Sequence, residues 1–263
     1  MRAGALAALA LTCAACVGKT GGDSVTFPVA AAGPLDAVAG QPLAFTTDLG
    51  WNVTLTQGKL HVGAVYLDQS QPVSGGQATG CYLTGTYVAQ ETSALDVDLL
   101  SPALQRFPTA ALGITEPPPL VGQVWLTGGD VNARDDRTEI LIVAGTATSG
   151  VASVPFSGTI TIGANRQTSN SGPAGGDPIC KKRIVSPIPA PLTLQRAGGL
   201  LLRIDPRPLF TNLDFAALPA DAATGGFVFS DDPSAPGYQP TGQNLFTNLH
   251  SIAPYAFSWT DAL

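Results

Sequence analysis

Residues 51–56 read WNVTLT. Trp51, Val53 and Leu55 alternate with Asn52, Thr54 and Thr56, so an extended chain puts three apolar side chains on one face and three polar ones on the other. The stretch ALDVDLL (94–100) repeats the pattern. Leu95, Val97 and Leu99 point one way, and Asp96 and Asp98 point the other. One buried and one wet face is the signature of an antiparallel sheet, and these two stretches set the fold class.

The same alternation recurs outward in both directions, between Gly, Pro, Asn and Asp punctuation. Further strand candidates are VTFPVA (25–30), PLAFTT (42–47), KLHVGAVYL (59–67), CYLTGTYVAQ (81–90), GQVWLTG (122–128) and TEILIVAGTAT (138–148). VPFSGTITIG (154–163), PLTLQ (191–195), GLLLRID (199–205), GFVFS (226–230) and YAFSW (255–259) complete the set. Strands in this number predict an all-β fold, an antiparallel β-sandwich of immunoglobulin-like or jelly-roll-like type, as a single domain over residues 25–263. Helical spacing is confined to GQNLFTNLHSI (242–252), where Leu245, Leu249 and Ile252 share a face with Phe246 alongside. One short C-terminal helix is predicted there, and a turn or two within 206–219. The 22 prolines suit loops and strand ends. An outer-membrane β-barrel is the competing all-β architecture, and the prolines and short irregular strands weigh against it. Pro117-Pro118-Pro119 is read as a connection within the domain.

The N-terminus carries an address. Arg2 precedes the uncharged, mostly apolar run AGALAALALT (3–12), and small residues follow at Ala14 and Ala15. That layout is a secretory signal peptide, too short to span a bilayer as a helix. Cys16 follows directly and resembles the lipidated cysteine of the bacterial lipoprotein lipobox, with Ala15 before it and Cys13 at the third position upstream. The expected organisation is a lipoprotein signal peptide over 1–15, acylation of Cys16, and a flexible tether over 16–24. The expected location is the cell envelope, anchored to the outer membrane. The Cys13-x-x-Cys16 spacing lacks the βαβ setting of a redox motif.

Two polar loops, 68–80 and 163–179, each end at a cysteine: Cys81 and Cys180. Long irregular loops are uncommon in compact domains and are often functional. With Cys16 acylated and Cys13 in the leader, Cys81 and Cys180 are an even pair in an exported chain, which implies a disulfide joining the two loop bases.

Composition excludes several classes. The net charge is −6 and charged residues are 12% of the chain, which argues against a nucleic-acid partner. The basic run Lys181-Lys182-Arg183 is read as a guard on an exposed strand edge. Mean hydropathy is +0.21, yet no apolar run after the leader approaches the length of a membrane span. There is no G-x-S-x-G elbow and no H-E-x-x-H, and no residue is assigned a catalytic role. His61 lies on a strand in phase with Val65 and Leu67 and is read as a buried or half-buried structural histidine, with a general base or a metal ligand as the lesser alternatives. His250 is placed on the short helix, facing solvent or capping a loop. Asp130, Asn132, Asp135 and Asp136 cluster oxygen donors that suit Ca²⁺, without EF-hand spacing. Their simpler reading is an exposed hairpin loop balanced by Arg134 and Arg137. A methionine-rich copper site is excluded because Met1 is the only methionine.

GWNVTLTQGKLHVGAVYL (50–67) resembles the paired-strand segment of the MbnP-like family: Gly-aromatic, alternating apolar residues, then a Tyr near the strand end. Those are exported bacterial β-sandwich proteins associated with copper, and the resemblance implies that setting without carrying over a ligand residue. SPALQRFPT and VWLTGGDVN resemble uncharacterised bacterial lipoproteins rich in Ala, Gly and Pro, which implies location and a sandwich fold. The function expected is a non-enzymatic binding or accessory module with no resident cofactor, its partners being the membrane through the anchor and an envelope protein or small ligand. A copper- or calcium-binding envelope protein is the alternative. A hydrolase with dispersed catalytic residues is a third.

Overall fold

The computed structural model describes residues 21–70, 86–127, 138–161, 183–221, 225–230 and 240–263. Along these the chain runs β1 (Ser24–Phe27), β2 (Val29–Ala32), β3 (Leu43–Thr46), β4 (Asn52–Val62), β5 (Ala64–Asp68), β6 (Tyr87–Glu91), β7 (Leu95–Asp98) and β8 (Gln105–Arg106). It continues through β9 (Ala111–Ile114), β10 (Val121–Trp125), β11 (Glu139–Ser149), β12 (Ala152–Thr161), β13 (Ile184–Pro189), β14 (Gly199–Ile204) and β15 (Phe227–Ser230). The helix α1 (Pro240–Leu249) and the strand β16 (Tyr255–Thr260) close the chain.

The strands form three sheets. The first runs β1-β9-β6-β5-β10-β13, the second β15-β12-β11-β4-β3 with β7 also on β4, and the third β16-β14-β2-β8. The fold is all-β, mostly antiparallel, with one short helix. Two pairs are parallel: β12 with β15, and β14 with β2. Two predicted runs bend from one sheet into another. VTFPVA breaks at Pro28, so β1 belongs to the first sheet and β2 to the third. KLHVGAVYL breaks at Gly63, so β4 belongs to the second sheet and β5 to the first. Such corners let one continuous core form between sheets. Phe27, Leu55, Leu67, Phe156, Leu202 and Phe229, drawn from all three sheets, lie in that core. Each large apolar side chain removed from water contributes about 1.5–3 kcal/mol.

Local chemistry fixes several elements. The β11–β12 hairpin closes through Gly150 and Val151, with Gly150 at φ 58°, a two-residue turn that needs glycine first. Gly122 on β10 faces the Phe257 ring, which lies 2.3 Å from where a Cβ would stand. That close approach seats the third sheet against the first.

Several expectations need correcting. PLTLQ forms no ladder, although Leu194 is buried. β8, β9 and β13 were not predicted. β13 carries Pro187 and Pro189 and is an edge strand, where missing donors are tolerated. The helix stops at Leu249, leaving Ile252 exposed. Its end is closed by side chains: the His250 ring bonds the Phe246 carbonyl at 2.8 Å, and the buried Tyr255 hydroxyl donates to the Leu249 carbonyl at 2.9 Å. Burial pushes the Tyr255 phenol well up. The segment 206–219 holds two short 3-10 turns, Arg207–Phe210 and Phe215–Ala217. Arg183 is fully buried and not an exposed guard. Its carbonyl accepts from the Leu126 N–H, which ties it to the end of the β10–β13 pair. Pro117–Pro119 connect β9 to β10 within one sheet.

Candidate functional site

β4 is the organising strand. One side pairs with β11, and the other pairs with β3 through residues 52–55 and with β7 through residues 59–62. β3 and β7 therefore lie end to end along β4, with a gap opposite residues 56–58. The register against β11 skips Thr56, a bulge whose hydroxyl donates to the Ala144 carbonyl at 3.1 Å. Before the bulge, Val53 and Leu55 face the core; after it, Leu60 and Val62 do. The gap opens as a cleft of about 490 Å³, bounded by residues 40–42, Gln57, Gly58, Asp98, Leu100 and Gln105.

The bulge decides the place of His61. The sequence puts it in phase with Val65 and Leu67, but the chain passes to another sheet at Gly63, and after the bulge His61 lies on the outer face of β4 opposite Asp96. Its side chain is half-buried at 19% exposure, which agrees with the half-buried reading. Nδ1 lies 2.7 Å from Asp96 Oδ1, and Lys59 Nζ donates to Asp96 Oδ2 at 3.0 Å. The hydrogen bond from His61, with that of Lys59, holds the Asp96 carboxyl below the usual range against a smaller opposing effect of burial. Asp98 Oδ1 accepts from the Leu100 N–H. The Gln105 amide clamps the Asp98 main chain, accepting from its N–H and donating to its carbonyl. Lys59, His61, Asp96 and Asp98 thus form a two-by-two polar array, with each basic side chain opposite an acid.

Among the described residues this array orients an imidazole and brings no hydroxyl or thiol to its other ring nitrogen. Asp96 is the only hydrogen-bond partner of His61 among the described residues. A triad needs a hydroxyl or thiol on the other ring nitrogen. Among the described residues no group of three or more His, Cys, Asp or Glu side chains converges as a metal site.

A second polar cluster lies on the outer face of the first sheet. Val65, Leu67 and Val124 face the core, so their strand neighbours Tyr66, Gln123 and Trp125 face away. Gln123 Nε2 donates to Asp68 Oδ2 at 2.7 Å, and Trp125 Nε1 donates to Gln123 Oε1 at 2.9 Å. Tyr66 packs on Trp125 and Tyr87, with centroids 4.7 Å and 5.3 Å apart. Asp68 has no exposed surface, and its Oδ1 has no partner. Burial pushes its carboxyl up to about 6, opposed by the bond from Gln123. Burial also raises the Tyr66 and Tyr87 phenols, with the Asp68 charge adding to the shift at Tyr87. Glu91 is buried too and its Oε2 also has no partner, while its Oε1 is engaged by the Ser93 N–H and by the Ser93 and Thr109 hydroxyls, a clamp between two loops.

Of the candidate lipidation, disulfide, metal and histidine sites singled out from the sequence, His61 and His250 fall within the described residues. Cys16, Cys81, Cys180, Asp130, Asn132, Asp135 and Asp136 lie outside them, as do the signal peptide, residues 71–80 of the first loop and the whole of 163–179. Sequence reading missed Lys59, Asp96, Asp68, Gln123 and Trp125 as site residues. One signal was available: Lys-x-His at 59–61 and Asp-x-Asp at 96–98 are complementary wet faces of two strands.

No protein-family model matches the chain, and no curated protein does. Among solved structures the chain is similar to MbnP from Methylosinus trichosporium, at 12% identity and a TM-score of 0.40, covering 90% of this chain and 99% of that one. A likeness this weak carries no argument about activity.

Proposed function

We propose that the chain is a lipid-anchored module of the bacterial cell envelope that binds a small polar ligand in the cleft between β3 and β7. The observation that carries this reading is the interruption in the pairing of β4. It leaves a concave site of about 490 Å³, within the range of small-molecule pockets. Gln57 and Asp98 line it, and the Gln105 clamp holds Asp98 in place. Pre-set groups of this kind bind with little ordering cost. The ligand they suit carries hydroxyl or amine donors, as a short saccharide or peptide does.

Acylation of Cys16 is tested by intact mass of the mature protein, with an unmodified N-terminus overturning it. The Cys81–Cys180 bond is tested by thiol counting on denatured, unreduced protein, where two free thiols overturn it.

The binding reading is tested by ligand-observed NMR with a panel of short saccharides and peptides. We expect a saturable binder whose affinity falls about tenfold in Asp98→Asn and in Gln57→Leu. Binding unaffected by both variants, or turnover of the ligand, overturns the assignment.

A further inference from the structure

The outer face of the first sheet carries a site unrelated to the cleft. We propose that Tyr66, Tyr87 and Trp125, with Asp68 at their edge, bind an organic cation: a quaternary or protonated amine.

Three observations converge on that chemistry. The three rings form one continuous strip, with Tyr66 central and touching both others. The Trp125 N–H is already given to Gln123, and the Gln123 amide to Asp68. Gln123 therefore holds the Trp125 indole in place, and the strip offers a ligand its π surface. An aromatic face is negative and attracts a cation over a neutral molecule of the same shape.

Asp68 supplies the second observation. Gln123 is the only hydrogen-bond partner of its side chain among the described residues, and Oδ1 has none. It stands in register with Tyr87 on one side and with Val121 on the other. Among the described residues this buried carboxylate has no countercharge, and a cation resting on Tyr87 supplies one. The third observation is room. Tyr87 is 41% exposed and Leu112 57% exposed, and both border a shallow depression of about 250 Å³ with Gln90 and Ile114. The ammonium would stack on Tyr87, with the rest of the ligand along Leu112 and Ile114. A chain of net charge −6 also favours a cationic ligand over an anionic one.

The test uses the mature chain, with choline as the probe and 3,3-dimethylbutan-1-ol as its uncharged isostere. Binding is read from the indole N–H resonance of Trp125. We expect saturable choline binding, at least tenfold weaker binding of the neutral isostere, and at least a fivefold loss in both Asp68→Asn and Tyr87→Leu. Tyr87 is partly exposed, so Tyr87→Leu keeps the proposal testable if Asp68→Asn fails to fold. Equal affinity for choline and its isostere overturns the proposal, leaving a merely apolar patch. So does the absence of saturation by choline, or choline binding unchanged in Tyr87→Leu.

Discussion

Asp96 and Asp68 both sit on strands and both hydrogen-bond across a sheet, yet their surroundings push them in opposite directions. Asp96 is 49% exposed, holds His61 and Lys59, and ionises more readily than an ordinary carboxyl. Asp68 is fully buried, holds one neutral amide, and ionises less readily. Exposed ion pairs are cheap to form and worth little, because water screens them. A buried carboxylate with one satisfied oxygen is costly, and a chain retains it more readily where it has a use. The contrast separates a screened surface array beside the cleft from a buried carboxyl with one oxygen unpartnered.

The largest expected effect comes from removing the one partner Asp68 has. Gln123→Leu leaves the carboxyl without a hydrogen bond and strips the Trp125 indole of its acceptor. We expect a loss of about 3 kcal/mol at neutral pH, read by urea denaturation. The loss should shrink near pH 4, where Asp68 is protonated. A cost under about 0.5 kcal/mol at neutral pH, the usual range for unremarkable surface changes, breaks the comparison.

A smaller effect of opposite sign follows for Asp68→Asn. The native carboxyl titrates at about 6, against an ordinary 3.8, so the native state holds its proton more tightly than the unfolded one. Stability contributed by this group is therefore highest below about pH 3.8, falls as pH rises towards 6, and is flat above. The amide variant escapes that fall. It should gain about 1–2 kcal/mol above pH 6 and nothing at pH 4, less than the full shift implies because the rim of the network is open at Tyr87. Thermal melts across pH 4–8 check this. A variant less stable than the parent at pH 8 breaks the argument.

The two regions were unequally legible. Alternation alone located β4, β7 and β12, because each has a dry face and a wet one. It could not place His61, because Thr56 looks like any other strand residue and only the register with β11 reveals the bulge. It assigned Asp68 to the start of a loop, because its partner Gln123 lies 55 residues further along. Arg183 read as an edge guard for the same reason: burial depends on neighbours from distant segments. β8 has two residues and no period to detect, and the prolines of β13 disguised an edge strand as a loop. Pairing with Pro-containing or very short strands is a tertiary outcome and leaves no local pattern.

The surface pair gives a third, smaller effect. His61→Ala and Asp96→Ala should each cost under about 1 kcal/mol, and a double-mutant cycle should return a coupling of about 0.2–1 kcal/mol. The pH sense is opposite to that of Asp68. The Asp96 carboxyl is held low, so its contribution is present above the ordinary carboxylate range and is lost as pH falls through its lowered value. High salt should reduce the coupling further. A coupling above about 2 kcal/mol would mean that His61 and Asp96 are structurally tied in a way their exposure does not suggest.

The smallest effect expected is none. Asp130, Asn132, Asp135 and Asp136 offer oxygen donors, but Arg134 stands among them and no glycine sits at the turn position of a calcium loop. If these residues held Ca²⁺ only in the native state, a chelator would lower the melting temperature by mass action, and added calcium would restore it. We expect the melting curve in chelator to overlay the curve without it. The measurement also bears on Asp68. A carboxyl buried without a countercharge could borrow one from a bound metal ion, and chelation would then raise the apparent carboxyl value towards that of the ion-free site. Titration of Asp68 by carboxyl-detected NMR, with and without chelator, separates the cases. An unchanged midpoint leaves the organic cation as the missing countercharge, and a chelator-dependent midpoint replaces it with a metal.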